Sequence, residues 1–499
     1  MSKLGKDILI LIFEELQDNS KSFFPCLMVN RLWCETAVPI LWRDPWSYSG
    51  IDYGNKSYLF TIITNYFFDN IKKFITEERI QLSSVLVKST LFDYLSFCRS
   101  INVNTINSII SIGSTLAYNQ FIMQQEFYYF FIKKCPKLKY LNTKSIKHQI
   151  FYFPEAKTCL GSLCELEFDT SIDSTYFYGL SRFCQRIQKL VIINKDTKLN
   201  HGVVKLIEVQ KSLKHFEWKD CFYGEYFAKD DPYEQILIVL EKKAGSLNYL
   251  RLSFQYVLNY EHTLLLEILP KFYKLKILII DHYLRLNKEQ LEQSEKLEKQ
   301  PELEILNVER NRLNTVSNII KNSGGRLKKI LFKPYSTSDF ETADENFNES
   351  SLNFIRIVYE NCPSIEYLSI LFSPTKENFT ELEKLLKRCQ NLKSLLILIF
   401  DTSFNDYEDH LKYGEELLKI LIRSAPTNFK EIICDSEFKF SLKMMEEFLV
   451  NWKDRRALTI FTVIDPSSII EEDFTELINK HKSNGVVKKF IYDNPIHDL

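Results

Sequence analysis

The sequence predicts an α/β fold: a solenoid of strand–helix repeats with short parallel strands inside and helices outside, preceded by a small all-helical segment. Three observations predict it. A short apolar pattern recurs along most of the chain, the stretches between its copies have helical periodicity, and the first 46 residues follow neither.

The recurring pattern is an apolar residue, two variable residues, a second apolar residue, one variable residue and a third apolar residue. Clear copies begin at Leu163, Ile187, Leu247, Leu275, Leu303, Ile365 and Leu392, and weaker ones at Leu138, Leu213, Leu327, Phe429, Leu458 and Val487. From 138 to 458 the copies are about 29 residues apart on average, room for one strand and one helix per unit. Amphipathic stretches fill the intervals: Asp231 to Leu240, Asn287 to Gln300, Glu377 to Cys389 and Ser441 to Trp452. The first opens with Asp231 at an N-cap position and Pro232 at the first helical position, where the missing N–H costs nothing.

The copy at 303 runs on through Asn311 to Leu313 and resembles the full leucine-rich-repeat pattern, including the asparagine that bonds the turn after the strand. Only Cys221 fills that place in another copy, so the repeats are degenerate. Cys135, Cys184, Cys362 and Cys389 each stand three residues ahead of a copy, which reads as a small buried residue closing each helix. The resemblance implies a solenoid over residues 131–499, in which every unit buries its apolar side only against its neighbours. Residues 47–130 are aromatic-rich and read as a helical linker or degenerate first repeats.

Residues 1–46 carry three segments in order: Leu4, Asp7, Ile8, Leu9, Ile12, Phe13 and Leu16; then Leu27, Val29, Arg31 and Trp33; then Pro39, Leu41 and Trp42. At these spacings they resemble an F-box, with Gly5 where the family usually has proline. The helix has more apolar side chains than one inward face can use, and the surplus must meet either the solenoid, as a cap, or another protein. The resemblance implies the second: Leu4, Ile8, Leu9, Ile12, Leu16, Leu27, Val29, Arg31 and Trp33 would contact the SKP adaptor of a cullin-RING ubiquitin ligase. Trp42 and Trp46 are expected to pack the end of this segment on the following helices.

Composition narrows the function further. The chain has 499 residues, 45% hydrophobic and 26% charged, with 64 Lys and Arg against 65 Asp and Glu. No basic run of the kind that tracks a phosphate backbone is present, so nucleic acid is not an expected partner. Apolar runs fall far short of the ~20 residues needed to cross a bilayer, and no membrane is expected. Eleven scattered cysteines without a C-x-x-C pair fit reduced thiols of the cytoplasm or nucleus, and neither metal nor cofactor is expected. Only 13 glycines occur, with no phosphate-loop or nucleophile-elbow motif, so no enzymatic activity is expected.

On the strands, side chains between the core positions should point to the concave face. By this logic Ile277, Ile279, Leu396 and Leu398 form an exposed apolar, target-binding surface. Wider spacing places extra residues at 219–231, 334–348 and 401–413, where insertions of a solenoid often bind. The reading is a substrate receptor of an SCF-type ligase with an unknown protein target. The alternative is a leucine-rich-repeat scaffold or regulator with no role in ubiquitination.

Overall fold

The computed structural model describes residues 4–17, 19–46, 56–67, 90–135, 137–222, 233–255, 263–281, 302–309, 311–333, 347–399, 407–434, 438–462 and 471–491. The chain divides into two compact units, Met1–Tyr223 and Gly224–Leu499. The helix start expected at Asp231 and Pro232, the helix at 287–300, and most of the three insertions lie outside the described residues.

The first unit opens with three helices, α1 (Lys6–Leu16), α2 (Ser20–Cys26) and α3 (Arg31–Leu41). Asn19 and Asn30 begin the second and third because their side chains accept the backbone N–H groups of Ser22 and Trp33, donors that a helix start otherwise leaves unpaired. Leu9 and Phe13, one turn apart on α1, are buried against Phe23, Cys26, Ala37 and Ile40, with Leu16, Leu27 and Trp33 packed around them. Phe13 meets Phe23 and Trp33 edge-on, with ring centroids 5.9 and 5.3 Å away.

Next come α4 (Lys56–Thr64), α5 (Tyr94–Phe97), the strand β1 (Ser100–Asn102), α6 (Val103–Gly113) and α7 (Ala117–Lys134). The end of α3 is tied to them as the sequence anticipated. Trp42 lies on Tyr94 at 4.6 Å, and Trp46 packs on Phe131 while its indole N–H donates to the Ser100 carbonyl at 3.0 Å. The Arg99 N–H donates to the Arg43 carbonyl.

Four further strands follow in this unit: β2 (Tyr140–Asn142), β3 (Glu165–Asp169), β4 (Lys189–Asn194) and β5 (His215–Asp220). They alternate with α8 (Ala156–Leu160), α9 (Ser174–Phe183) and α10 (His201–Glu208). All pair in parallel with the next, in a register that sets Ile101, Leu141, Leu166, Leu190 and Phe216 side by side. β1 shows that strand–helix units begin some forty residues before the first copy found in the sequence. Its copy is Cys98, Ile101 and Val103, all buried, and a cysteine in the leading position hid it.

The second unit repeats the scheme. Its strands are β6 (Tyr249–Ser253), β7 (Ile277–Asp281), β8 (Ile305–Glu309), β9 (Lys329–Lys333), β10 (Tyr367–Phe372), β11 (Ser394–Ile399), β12 (Glu431–Cys434), β13 (Leu458–Phe461) and β14 (Val487–Ile491). Its helices are α11 (Glu234–Glu241), α12 (Thr263–Ile268), α13 (Leu313–Lys321), α14 (Phe347–Asn361), α15 (Lys376–Arg388), α16 (Tyr407–Ser424), α17 (Leu442–Asn451) and α18 (Glu471–Ser483). Parallel pairing aligns Leu250, Leu278, Leu306, Ile330, Leu368, Leu395, Ile432, Ile460 and Phe490 in one buried row. Each such side chain contributes roughly 1.5–3 kcal/mol by leaving water, and only a neighbouring unit covers it. The fold is thus a repeat solenoid of parallel strands and helices.

Two expectations change. The copy placed at Leu458 is one residue late: Ile460 pairs with Ile432, and the buried set is Leu458, Ile460 and Thr462. Leu396 and Leu398, expected on an exposed face, are 5% and 3% exposed. In register with them, Leu371 pairs with Leu398 and Ile433 with Leu396, and both are buried as well. β10 to β12 therefore bury both faces, and strict alternation fails there.

The repeated cysteines close helices. Cys135, Cys184 and Cys389 are the capping residues after α7, α9 and α15, and Cys362 directly follows α14; all four are fully buried. Helix ends leave carbonyls without partners, and the side chain at this place in one unit donates to the preceding unit. Cys184 Sγ donates to the Leu160 carbonyl, Gln210 Nε2 to that of Cys184 at 2.7 Å, and Cys389 Sγ to that of Cys362. Burial pushes the Cys184, Cys362 and Cys389 thiols up to about 12, so they stay protonated. Asn311, also buried, donates its amide to the Glu309 carbonyl at 2.6 Å.

Candidate docking surface

Helix α1 is apolar on two sides. Leu9, Phe13 and Leu16 turn inward, while Leu4, Ile8, Leu11 and Ile12, spaced by three and four residues, form a stripe left in solvent. Ile8 is 50% exposed and Leu11 64%. At the turn from α2 into α3, Met28, Val29 and Leu32 are exposed too, Met28 by 87%. Among the described residues, 7 of 19 exposed large hydrophobic side chains fall within residues 4–32, so the concentration is local rather than the scatter any surface shows.

Among the described residues nothing covers this stripe. The segment meets the first strand–helix units through Trp42, Arg43 and Trp46, at the far end of α3, and α1 is braced there by the Arg43–Glu14 ion pair at 2.8 Å. Gly5, the N-cap of α1, has φ −67° and ψ 156°, a backbone that proline also adopts, and nothing lies within 4 Å of where a Cβ would stand. Its presence leaves the path into the helix unchanged.

The residues expected to contact an adaptor separate into two groups. Leu4, Ile8, Ile12 and Val29 are exposed, as is Arg31, which pairs along its helix with Glu35 at 2.7 Å. Leu16, Leu27 and Trp33 are partly buried against the three-helix core, and Leu9 is wholly buried. Leu9 is therefore corrected from a contact residue to a core residue: one step along a helix turns a side chain about 100°, which carries it from the Ile8 stripe to the Phe13 side. The sequence reading missed Leu11, Met28 and Leu32; the three-residue spacing of Leu11 from Ile8 is the signal that places it on the stripe.

The strand faces differ between the units. In the first, several outward residues are polar and paired, although Val191 and Ile193 of β4 are partly exposed: the Tyr140 hydroxyl donates to Glu167 at 2.9 Å, Lys144 pairs with Glu167, and His215 with Glu217 at 2.5 Å. In the second, Ile277 and Ile279 are partly exposed as expected, with Ile305 beside the former and Asn307, then Leu331, beside the latter. This apolar surface ends at Arg251 and Asp281, paired at 2.8 Å.

Among the described residues no group of three or more His, Cys, Asp or Glu is placed to hold a metal ion. No described helix is long and apolar enough to cross a membrane.

No family model matches the chain, and no curated protein matches it. Among solved structures it is similar to a protein from Bacteroides fragilis, 12% identical with a TM-score of 0.30, over 57% of this chain. The match spans 66% of that protein, just under two thirds of its length.

Proposed function

We propose that this chain is the substrate-recognition subunit of a cullin-RING, SCF-type ubiquitin ligase. In this reading the three N-terminal helices are an F-box and the strand–helix units a degenerate leucine-rich-repeat array. The observation that carries it is the division of α1: Leu9 and Phe13 seal the segment's own core, Trp42 fastens it to Tyr94 and Trp46 to the first strand, and Leu4, Ile8, Leu11 and Ile12 remain exposed. Those four, with Met28 and Val29, would meet the SKP adaptor. Leu16, Leu27 and Trp33 would hold the helices at the angle that presents them.

The target, a protein, would lie on the strand face of the second unit at Ile277 and Ile279. The receptor performs no chemistry in this scheme. It raises the effective concentration of a target lysine beside a ubiquitin thioester carried by the ligase, turning a bimolecular encounter into a nearly intramolecular one.

A second reading keeps the solenoid as a protein-binding scaffold or regulator and makes the helical segment only its cap. The attachments of Trp42 and Trp46 favour it. Co-expression of the full chain with an SKP adaptor and the N-terminal half of its cullin separates the two. Co-elution of all three on size exclusion supports the receptor, and elution of the chain apart from the adaptor supports the scaffold.

A further inference from the structure

From β7 to β11 of the second unit the residue just before each strand is charged and ion-paired. Lys276 and Lys328 share Glu304, at 4.0 and 2.9 Å, Arg326 faces Glu302 at 3.5 Å, and Lys393 meets Glu366 at 2.5 Å. Over the last three strands the carboxylates run out. There a cavity of about 300 Å³ is lined by Lys430, Glu431, Arg456, Ala457, Thr459 and Lys488. None of its three cations makes an ion pair among the described residues; the Lys430 amine stands over the Tyr367 ring at 5.9 Å. The one carboxylate, Glu431, accepts a hydrogen bond from Ser394 Oγ at 2.6 Å.

The backbone is shaped to put these cations together. Lys430 N–H donates to the Lys393 carbonyl and its own carbonyl accepts from Thr459 N–H at 2.8 Å, so both lining residues are fixed by the sheet. In β14, Leu458 faces Val487 but Thr459 faces Lys489, so Lys488 is the extra residue of a β-bulge. Counted from buried Val487, strict alternation would turn Lys489 to the buried side and Phe490 outward. The bulge instead leaves Lys488 and Lys489 both exposed between buried Val487 and Phe490. Lys489 then reaches the Phe461 ring, 6.0 Å away, and Lys488 lines the cavity.

We propose that Lys430, Arg456 and Lys488 form a phosphate-binding pocket at the edge of β12, β13 and β14. Three cations against one carboxylate leave two positive charges, which match the near-dianionic charge of a phosphate monoester; a planar guanidinium adds paired donors and Thr459 a hydroxyl. The phosphate is either free or carried on a serine or threonine side chain of a protein. The pocket lies in the second unit and stands whether or not the helical segment binds an adaptor.

The test is calorimetric titration of the full chain at constant ionic strength with inorganic phosphate, with a phosphoserine peptide and with the same peptide unphosphorylated. Saturable binding of phosphate or phosphopeptide is expected, about tenfold weaker in K488Q and in R456Q, and tighter in E431Q because a repelling charge is gone. Tighter binding of the phosphopeptide than of phosphate assigns the group to a protein, and the reverse order to a small molecule. Circular dichroism confirms that each variant is folded. Equal binding of the unphosphorylated peptide, no binding of either phosphate or phosphopeptide, or binding unchanged in both K488Q and R456Q overturns the proposal.

Discussion

Ile8 and Leu9 are consecutive residues of α1 with opposite fates: Leu9 is fully buried with Phe13 in the three-helix core, and Ile8 is half exposed. Truncating each to alanine should divide accordingly. Leu9→Ala should cost about 2–5 kcal/mol, the range for a buried leucine that leaves a cavity, and Ile8→Ala should stay within about 0.5 kcal/mol. Chemical denaturation of the full chain, followed at the transition that contains the helical segment, reads both.

The two apolar pairs proposed from the sequence as one exposed face should also behave differently. Leu396 is buried between Ser369 and Ile433 on adjacent strands, whereas Ile277 is partly exposed. Leu396→Asp would place an unpaired carboxylate in that layer and should cost more than about 3 kcal/mol. Ile277→Lys should cost less than about 1 kcal/mol. Similar melting of the two variants would show that the layer over β11 is open to water.

Gly5 carries a backbone conformation that proline shares, with free space at its Cβ position. Gly5→Pro should therefore stabilise the helical segment by about 0.4–1 kcal/mol, by restricting the unfolded chain. A lower melting temperature in the variant would mean that the entry to α1 needs a freedom proline lacks.

Glu383 links α15 to α16. Hydrogen bonds from Arg423 at 3.0 Å and Lys387 at 2.7 Å hold its carboxyl down at about 2, against an ordinary value of 4.5. A group whose folded value is depressed contributes stability that is complete above its unfolded value, here about 4.5, and is lost as the pH falls toward about 2. Its side chain is 20% exposed to screening water, so about 1 kcal/mol is at stake. Glu383→Gln should remove that portion of the acid sensitivity, and parallel pH–stability curves for wild type and variant would show that the bridge contributes nothing.

How much the sequence disclosed follows from what each signal depends on. The leucine ladder was legible because a parallel register repeats the same inward position in every unit, and Leu166, Leu190, Leu250, Leu278, Leu306, Leu368 and Leu395 are all at most 2% exposed. The cysteines at helix ends were legible for the same reason. The unit at β1 was hidden because Cys98 holds a place usually filled by leucine, and the register at Ile460 because Phe461 is as apolar as its buried neighbour. Burial of Leu396 and Leu398 was not legible, since alternation within a strand says nothing of what covers its second face. On α1 the excess of apolar residues was evident, but the division between Ile8 and Leu9 depends on where α2 and α3 pack.

The central claim is that the exposed stripe of α1 is a docking surface rather than part of the protein's own core. It is tested by measuring SKP adaptor binding, by surface plasmon resonance, for the wild-type chain and for the double variant Ile8→Asp, Ile12→Asp, with thermal melting on the same preparations. Two charges forced into an apolar contact should weaken binding at least ~100-fold, about 2.8 kcal/mol or more, while melting stays unchanged. Unaltered adaptor binding, or no binding by the wild-type chain, would contradict the receptor function. Loss of the folded state in the variant would show that Ile8 and Ile12 belong to the core.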